Sequence, residues 1–260
     1  LNSYNTVFRG RNDSFSFSLN NLKLYGIQFW SPGATYTSFS DINLHLYFEP
    51  IKGIVDLNGY NLTTAAIMGG RGNYGYQDNT LYCGSGTITV NAYFTTNILL
   101  CVSNLYADKC TFIHAPYSAG SSSNVCTINQ YTPVTFKKII LKKTSGFLGS
   151  VVINLLTDTP IDELYIDSCS IVKLTKGKTI NINRFTVSGN PSNLSTISST
   201  TPGSTATINI PTDGYTGCDY VTFNDIIASG NPIYGGKHSS GTNTTNILFD
   251  YQDSTLSMNL

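Results

Sequence analysis

The stretch Leu105-Tyr-Ala-Asp-Lys-Cys110-Thr-Phe112 recurs as Leu164-Tyr-Ile-Asp-Ser-Cys169-Ser-Ile171. Both copies place an Asp and a Cys between apolar residues, which is typical of two short strands around a polar corner. A second pair matches Ile180-Asn-Ile-Asn-Arg-Phe-Thr-Val187-Ser-Gly-Asn-Pro191 with Val221-Thr-Phe-Asn-Asp-Ile-Ile-Ala228-Ser-Gly-Asn-Pro232. Short apolar strands that are broken by polar kinks and closed by Gly/Asn turns indicate coils stacked on one another. The sequence therefore predicts an all-β solenoid with loop insertions.

The composition is that of a folded chain with little charge. Of the 260 residues, 40% are hydrophobic and 12% are charged, with 15 basic residues against 15 acidic ones. The apolar content is enough for a core, which excludes a disordered chain. Without a dense basic stripe, a nucleic-acid partner is not expected. The apolar residues are scattered in twos and threes, so we expect no membrane insertion. A neutral surface rich in amide, hydroxyl and aromatic groups suits uncharged partners such as glycans.

Neither the cysteines nor the glycine-rich motif of this sequence predicts a metal or cofactor site. The six cysteines include no CxxC pair and no histidine lies at ligand spacing, so no metal site is expected. Most of the cysteines lie in apolar runs, which favours buried thiols, although the even count leaves disulfides open. Gly70-Arg-Gly72-Asn-Tyr-Gly75 matches a dinucleotide-binding glycine pattern, but a strand follows it instead of a helix. We therefore expect no cofactor.

Alternating apolar residues predict strands along most of the chain, for example at Ile42, Leu44 and Leu46. An antiparallel β-sandwich or jelly roll would also contain many short strands and is the alternative fold. Dipeptides typical of hairpins are scarce, with Asn58-Gly59 the one clear case, and this favours the solenoid. We assign residues 51–260 to the solenoid and residues 1–50, which lack the repeated motif, to an N-terminal cap or subdomain.

Segments rich in Gly, Ser, Thr and Asn are interpreted as surface loops. They comprise residues 68–79, 115–124, 190–206 and 228–246. The first loop carries Arg71, Tyr74 and Tyr76, and these residue types bind sugars by stacking and by paired hydrogen bonds. A plain solvent loop is the alternative for that segment. The single tryptophan, Trp30, is a further candidate ligand-binding residue, with a core or cap position as its alternative.

Lys52-Gly-Ile-Val-Asp-Leu-Asn-Gly-Tyr-Asn-Leu-Thr63 resembles the opening coil of right-handed parallel β-helix proteins, which include pectate-lyase-like proteins and phage tailspikes. Ser85-Gly-Thr-Ile-Thr-Val90 and Tyr106-Ala-Asp-Lys-Cys-Thr-Phe-Ile-His114 are similar to later coils of that family. The resemblance implies a tailspike, tail-fibre or related virion surface protein that binds bacterial surface polysaccharide during host attachment. It also implies a homotrimer. The expected localisation is the virion surface or, more generally, extracellular.

Members of this family that cleave glycans use paired carboxylates as acid and base. The densest acidic cluster in the chain contains Asp158, Glu163 and Asp167, and on a strand the last two share a face. These three residues are the candidate catalytic groups of a second hypothesis, a polysaccharide hydrolase or lyase. Carboxylates that hold corner turns are the simpler interpretation. A cellular surface adhesin or structural module is the third hypothesis.

Overall fold

The computed structural model describes residues 5–10, 13–20, 22–68, 79–91, 97–100, 102–116, 125–130, 134–142, 150–155, 159–167, 171–192 and 194–249. The regular secondary structure of these residues is entirely β. The strands are β1 Asn5–Phe8, β2 Ser14–Phe17, β3 Lys23–Ser38, β4 Ile42–Asp56, β5 Leu62–Thr64, β6 Ala66–Ile67, β7 Asn79–Tyr82, β8 Thr87–Val90, β9 Asn97–Leu100, β10 Asn104–His114, β11 Val125–Gln130, β12 Phe136–Leu141, β13 Ser150–Leu155, β14 Thr159–Ile166, β15 Ile171–Leu174, β16 Thr179–Ser188, β17 Ser195–Ser199, β18 Ala206–Ile210, β19 Tyr215–Asp219, β20 Val221–Asn224, β21 Ile226–Gly230, β22 Ile233–Gly236, β23 Ser240–Thr242 and β24 Ile247–Phe249.

Every strand pair in the described part of the chain is parallel. One sheet of 15 strands runs in the order β1-β3-β4-β5-β8-β10-β12-β14-β16-β18-β21, with β2, β6, β7 and β19 paired at its side. A second sheet of seven strands runs β23-β20-β17-β15-β13-β11-β9, and β22 pairs with β24. The chain therefore alternates between the two sheets from one coil to the next. The predicted parallel β-helix is confirmed, and the antiparallel alternative is wrong.

The core is a stack of inward side chains from successive coils. Phe112 of β10 pairs with Ile139 of β12, which pairs with Leu164 of β14, which pairs with Phe185 of β16. All four side chains are buried. Side chains alternate between the two faces of a strand, so the residues between them lie outside. Each coil thus buries its apolar residues against the coil above and the coil below.

The repeated stretches that suggested the solenoid do not occupy equivalent positions in it. Leu164 stacks in line with Phe112, not with Leu105. Ile180 lies in the large sheet, whereas Val221 lies in the seven-stranded sheet. Coil length varies, since Gly236 pairs with Phe249, 13 positions along the chain, whereas Arg184 pairs with Tyr215, 31 positions along. A repeat measured along the sequence therefore drifts relative to the repeat in space.

Two of the predicted loops contain strands. Residues 190–206 include β17, whose Ser195 and Ile197 are buried, and residues 228–246 include β22 and β23. Most of residues 68–79 and 115–124 lies outside the described residues. In residues 1–50, β1 to β3 and the start of β4 pair in parallel within the large sheet. A separate role of that segment as a cap stays a prediction.

Candidate functional site

Three successive coils bring one outward column of side chains together. Asp56 at the end of β4 pairs with Tyr82 at the end of β7, and Tyr82 pairs with Tyr106 of β10. The residues just before them, Leu81 and Leu105 among others, are buried in the core. Because neighbouring residues of a strand point to opposite faces, Asp56, Tyr82 and Tyr106 project outward.

The two tyrosine rings of this column form an exposed stacked pair. Their centroids are 4.5 Å apart and their planes are inclined by 14°. This distance is close to the spacing of neighbouring strands, about 4.8 Å, so the register itself sets the stack. Tyr82 is 38% exposed and Tyr106 is 48% exposed. The pair thus offers flat aromatic surface to the solvent, whereas most apolar side chains of the described residues are buried.

The turn that follows each strand shapes the floor beside the rings. Asn58 and Gly59, both with positive φ, turn the chain after β4, and the backbone N–H of Asn58 donates to Oδ1 of Asp56 at 2.7 Å. Gly84 turns the next coil after Tyr82, and a Cβ on Gly84 would lie 2.4 Å from the Gly59 nitrogen. Only glycine permits this approach together with a positive φ. The floor of the site is therefore two turns in direct backbone contact.

A bulge in β10 completes the site. The register of β10 against β12 shifts between Ala107 and Thr111, and Asp108 and Lys109 are exposed there. The resulting open groove has a volume of about 530 Å³, in the range of ligand sites. It is lined by Asp56, Asn58, Gly59, Tyr82, Gly84, Ser85, Tyr106, Asp108 and Lys109. A second hollow on the far side of Tyr106 shares Tyr106 and Asp108 with the groove and ends at Pro160.

The electrostatics of the groove are negative around the rings. Partial burial raises the pKa of Tyr82, and the neighbouring Tyr106 hydroxyl and the Asp56 carboxylate raise it further. Asp56 and Asp108 make no ion pair with any described residue. The raised pKa keeps Tyr82 a neutral phenol, whose hydroxyl is both a hydrogen-bond donor and an acceptor.

Two thiols lie buried behind the groove and contact each other. Cys83 and Cys110 are buried and free, as is Cys218 further along the chain. A hydrogen bond to the Cys110 thiol and burial raise the pKa of Cys83 well above its ordinary value. Buried protonated thiols pack as small apolar groups. The prediction of free thiols is confirmed for these three, and the side chains of Cys101, Cys126 and Cys169 lie outside the described residues.

Two of the three predicted catalytic carboxylates, Glu163 and Asp167, lie in the described part of the chain, and their catalytic role stays a prediction. Glu163 of β14 pairs with Lys138 on the neighbouring coil, with 2.6 Å between Oε2 and Nζ. Asp167 follows β14, and its backbone N–H donates to the Leu141 carbonyl as the chain leaves the strand. Asp158 lies outside the described residues. The arrangement around Glu163 is a surface ion pair.

Of the predicted ligand-binding residues, Trp30 alone lies in the described part of the chain. Arg71, Tyr74 and Tyr76 lie outside the described residues. Trp30 of β3 is half-buried and pairs in register with Lys52, whose Nζ lies 6.0 Å from the ring centroid. This contact is a cation–π pair within the fold. Sequence reasoning missed Tyr82 and Tyr106, although both follow an inward leucine in a Leu-Tyr dipeptide.

Comparisons with protein-family models, with curated proteins and with solved structures give no match for this chain. Among the residues that the structure describes, no cluster of His, Cys, Asp and Glu is able to hold a metal ion. A helix able to cross a bilayer is likewise not found in the described part. The groove is therefore interpreted from its own geometry.

Proposed function

We propose that this chain is the glycan-binding β-helix of a phage tailspike, tail fibre or related virion surface protein. In this proposal the groove around Tyr82 and Tyr106 binds a bacterial surface polysaccharide during host attachment. The observation that carries it is the exposed stack of these two rings, at 4.5 Å, in an open groove with polar groups on both sides.

The chemistry of the groove suits a sugar. Sugar rings carry an apolar C–H face, which covers an aromatic ring, and a rim of hydroxyl groups, which needs hydrogen-bond partners. Tyr82 and Tyr106 provide the aromatic surface, and Asp56 and Asp108 provide carboxylate acceptors for hydroxyl donors. Ser85 and Asn58 line the same groove and add a hydroxyl and an amide. Such mixed lining is typical of ligand sites that orient a polar molecule.

We propose a place at the virion surface from the resemblance of the sequence to tailspike coils. The solenoid architecture is compatible with that place. We propose a homotrimer at the virion surface because stacked-coil rods gain stability by burying a flank against symmetric partners. Because fold does not determine function, the proposal is tested by measuring glycan binding to the groove.

The test measures binding of purified capsular and lipopolysaccharide glycans by calorimetry. The Tyr82→Ala and Tyr106→Ala variants are each expected to weaken binding about tenfold, because an aromatic anchor contributes about 1.5 kcal/mol. Tyr215→Ala is the matched control, since Tyr215 is 45% exposed on the same sheet but outside the groove. Equal losses in all three variants, or no loss in the groove variants, would contradict the proposal. Release of new reducing ends from the glycan would contradict a purely binding role.

A further inference from the structure

The two carboxylates of the groove differ from Asp162 and Glu163 of β14, which have lysine partners. Asp162 of β14 forms an ion pair with Lys137 of β12, and Glu163 forms one with Lys138. Those charges are neutralised by the fold itself. In the groove, Asp56 and Asp108 have no such partner among the described residues.

The position of these carboxylates relative to the rings is the second observation. Asp56 is adjacent to Tyr82 in register, and Asp108 lies two positions beyond Tyr106, so both line the same groove as the stacked rings. Aromatic faces and carboxylates both attract a cation, because the ring quadrupole is negative above the plane. The field of Asp56 already acts on Tyr82, where it disfavours the phenolate.

Lys109 is the one cation that lines the groove among the described residues. Its single positive charge leaves two carboxylates against one ammonium group, so the groove carries a net negative charge. An anionic sugar would meet repulsion there, whereas a cationic group would restore neutrality.

We propose that the Tyr82–Tyr106 groove selects sugars that carry a protonated amino group, namely hexosamine units with a free amine. The amine lies between the carboxylates of Asp56 and Asp108, and the C–H face of the sugar covers the tyrosine rings. This inference rests on the proposed glycan-binding function and names the chemical class of its ligand.

The experiment compares chitosan oligosaccharides, which have free amines, with N-acetylated chito-oligosaccharides of the same length, both measured by calorimetry with the full chain. The amine form is expected to bind about tenfold more tightly. The double variant Asp56→Asn/Asp108→Asn keeps side chains of the same shape and is expected to abolish that preference. Asp213→Asn is the matched control, because Asp213 is exposed outside the groove, and it is expected to keep the preference.

The outcomes separate the two proposals. Equal affinity for both forms, with Tyr82→Ala still weakening both, would overturn the amine selectivity and leave the glycan-binding function intact. The amine selectivity would also be overturned, and glycan binding kept, if a neutral bacterial glycan bound through the tyrosines while the free-amine oligosaccharide did not bind. Absence of Tyr82-dependent binding for every glycan would overturn both. A preference that survives in the double variant would show that other groups select the amine, and would also overturn the assignment to these carboxylates.

Discussion

Acid should destabilise this protein through one buried histidine. His114 ends β10 at an inward position, in register with Val90 on one side and with Leu141 on the other. Its side chain is fully buried, and neither ring nitrogen has a well-formed hydrogen bond. Burial lowers the pKa of His114 to about 4, although the Val90 carbonyl raises it in part. The folded state therefore holds a neutral imidazole in its core.

The magnitude follows from the difference between the folded and unfolded pKa values. Between the unfolded value of 6.5 and the folded value of about 4, the unfolded chain binds a proton that the folded chain does not. Stability is therefore lost as the pH falls through this window. The free energy of unfolding is expected to drop by about 1.4 kcal/mol at pH 5.5 and about 2 kcal/mol at pH 5, relative to pH 7.5. Asp162 and Asp219, whose pKa values lie below 3.8, lose their stabilisation only at lower pH.

The assay is urea unfolding at pH 7.5, 6.5, 5.5 and 5, on the original chain and on His114→Leu. The leucine variant removes the titrating group and fits an apolar stack, so its stability is expected to stay flat across this range. At pH 7.5 it should be as stable as the original or more so, because a buried polar group without partners is costly. His45→Gln, at an exposed position, serves as the control and should leave the pH dependence unchanged. An equal loss of stability in His114→Leu between pH 7.5 and 5.5 would refute the reasoning.

Three further predictions concern the backbone, a surface pair and a thiol. Gly84→Ala should lower the free energy of unfolding by about 3 kcal/mol, because its Cβ would collide with backbone. Gly177→Ala, at a positive φ in open space, should cost about 1 kcal/mol in the same urea assay. Glu163→Gln should change stability by less than about 1 kcal/mol, since its pair with Lys138 is half-exposed, and a larger loss would contradict this account. Burial raises the pKa of Cys218 to about 12, so peptide mapping should find it unlabelled by iodoacetamide at pH 8 until urea unfolds the chain.

Strands could be predicted because inward and outward residues alternate locally, and the scarcity of hairpin dipeptides favoured stacked coils over a sandwich. The patterns around Phe112 and Leu164 require only that each strand bury one face. Register was not predictable in the same way. It depends on how many residues each corner contains, and the corner between Ala107 and Thr111 takes up extra residues in a bulge. Ser195 illustrates a second difficulty. It is buried in a strand, but the Ser/Thr-rich segment around it has the composition of a loop.

The candidate site was harder to predict than the fold for a related reason. Tyr82 and Tyr106 are two of 17 tyrosines, and their stacking depends on a register that sequence distance does not reveal. The same register brings Lys138 beside Glu163 and forms an ion pair that the local sequence does not reveal. Local chemistry was visible in both cases, but the partner on the next coil was not.

The variable length of the coils has an evolutionary consequence. Each coil touches mainly its two neighbours, and any coil of suitable inward pattern fits on the next. A duplication of one coil would lengthen the rod by about 4.8 Å without rebuilding the remainder. Corner segments differ in length, as the offsets between paired residues, from 13 to 31 positions, illustrate. Substitutions and insertions at the corners would therefore change the surface chemistry while the ladder of inward side chains stays in place.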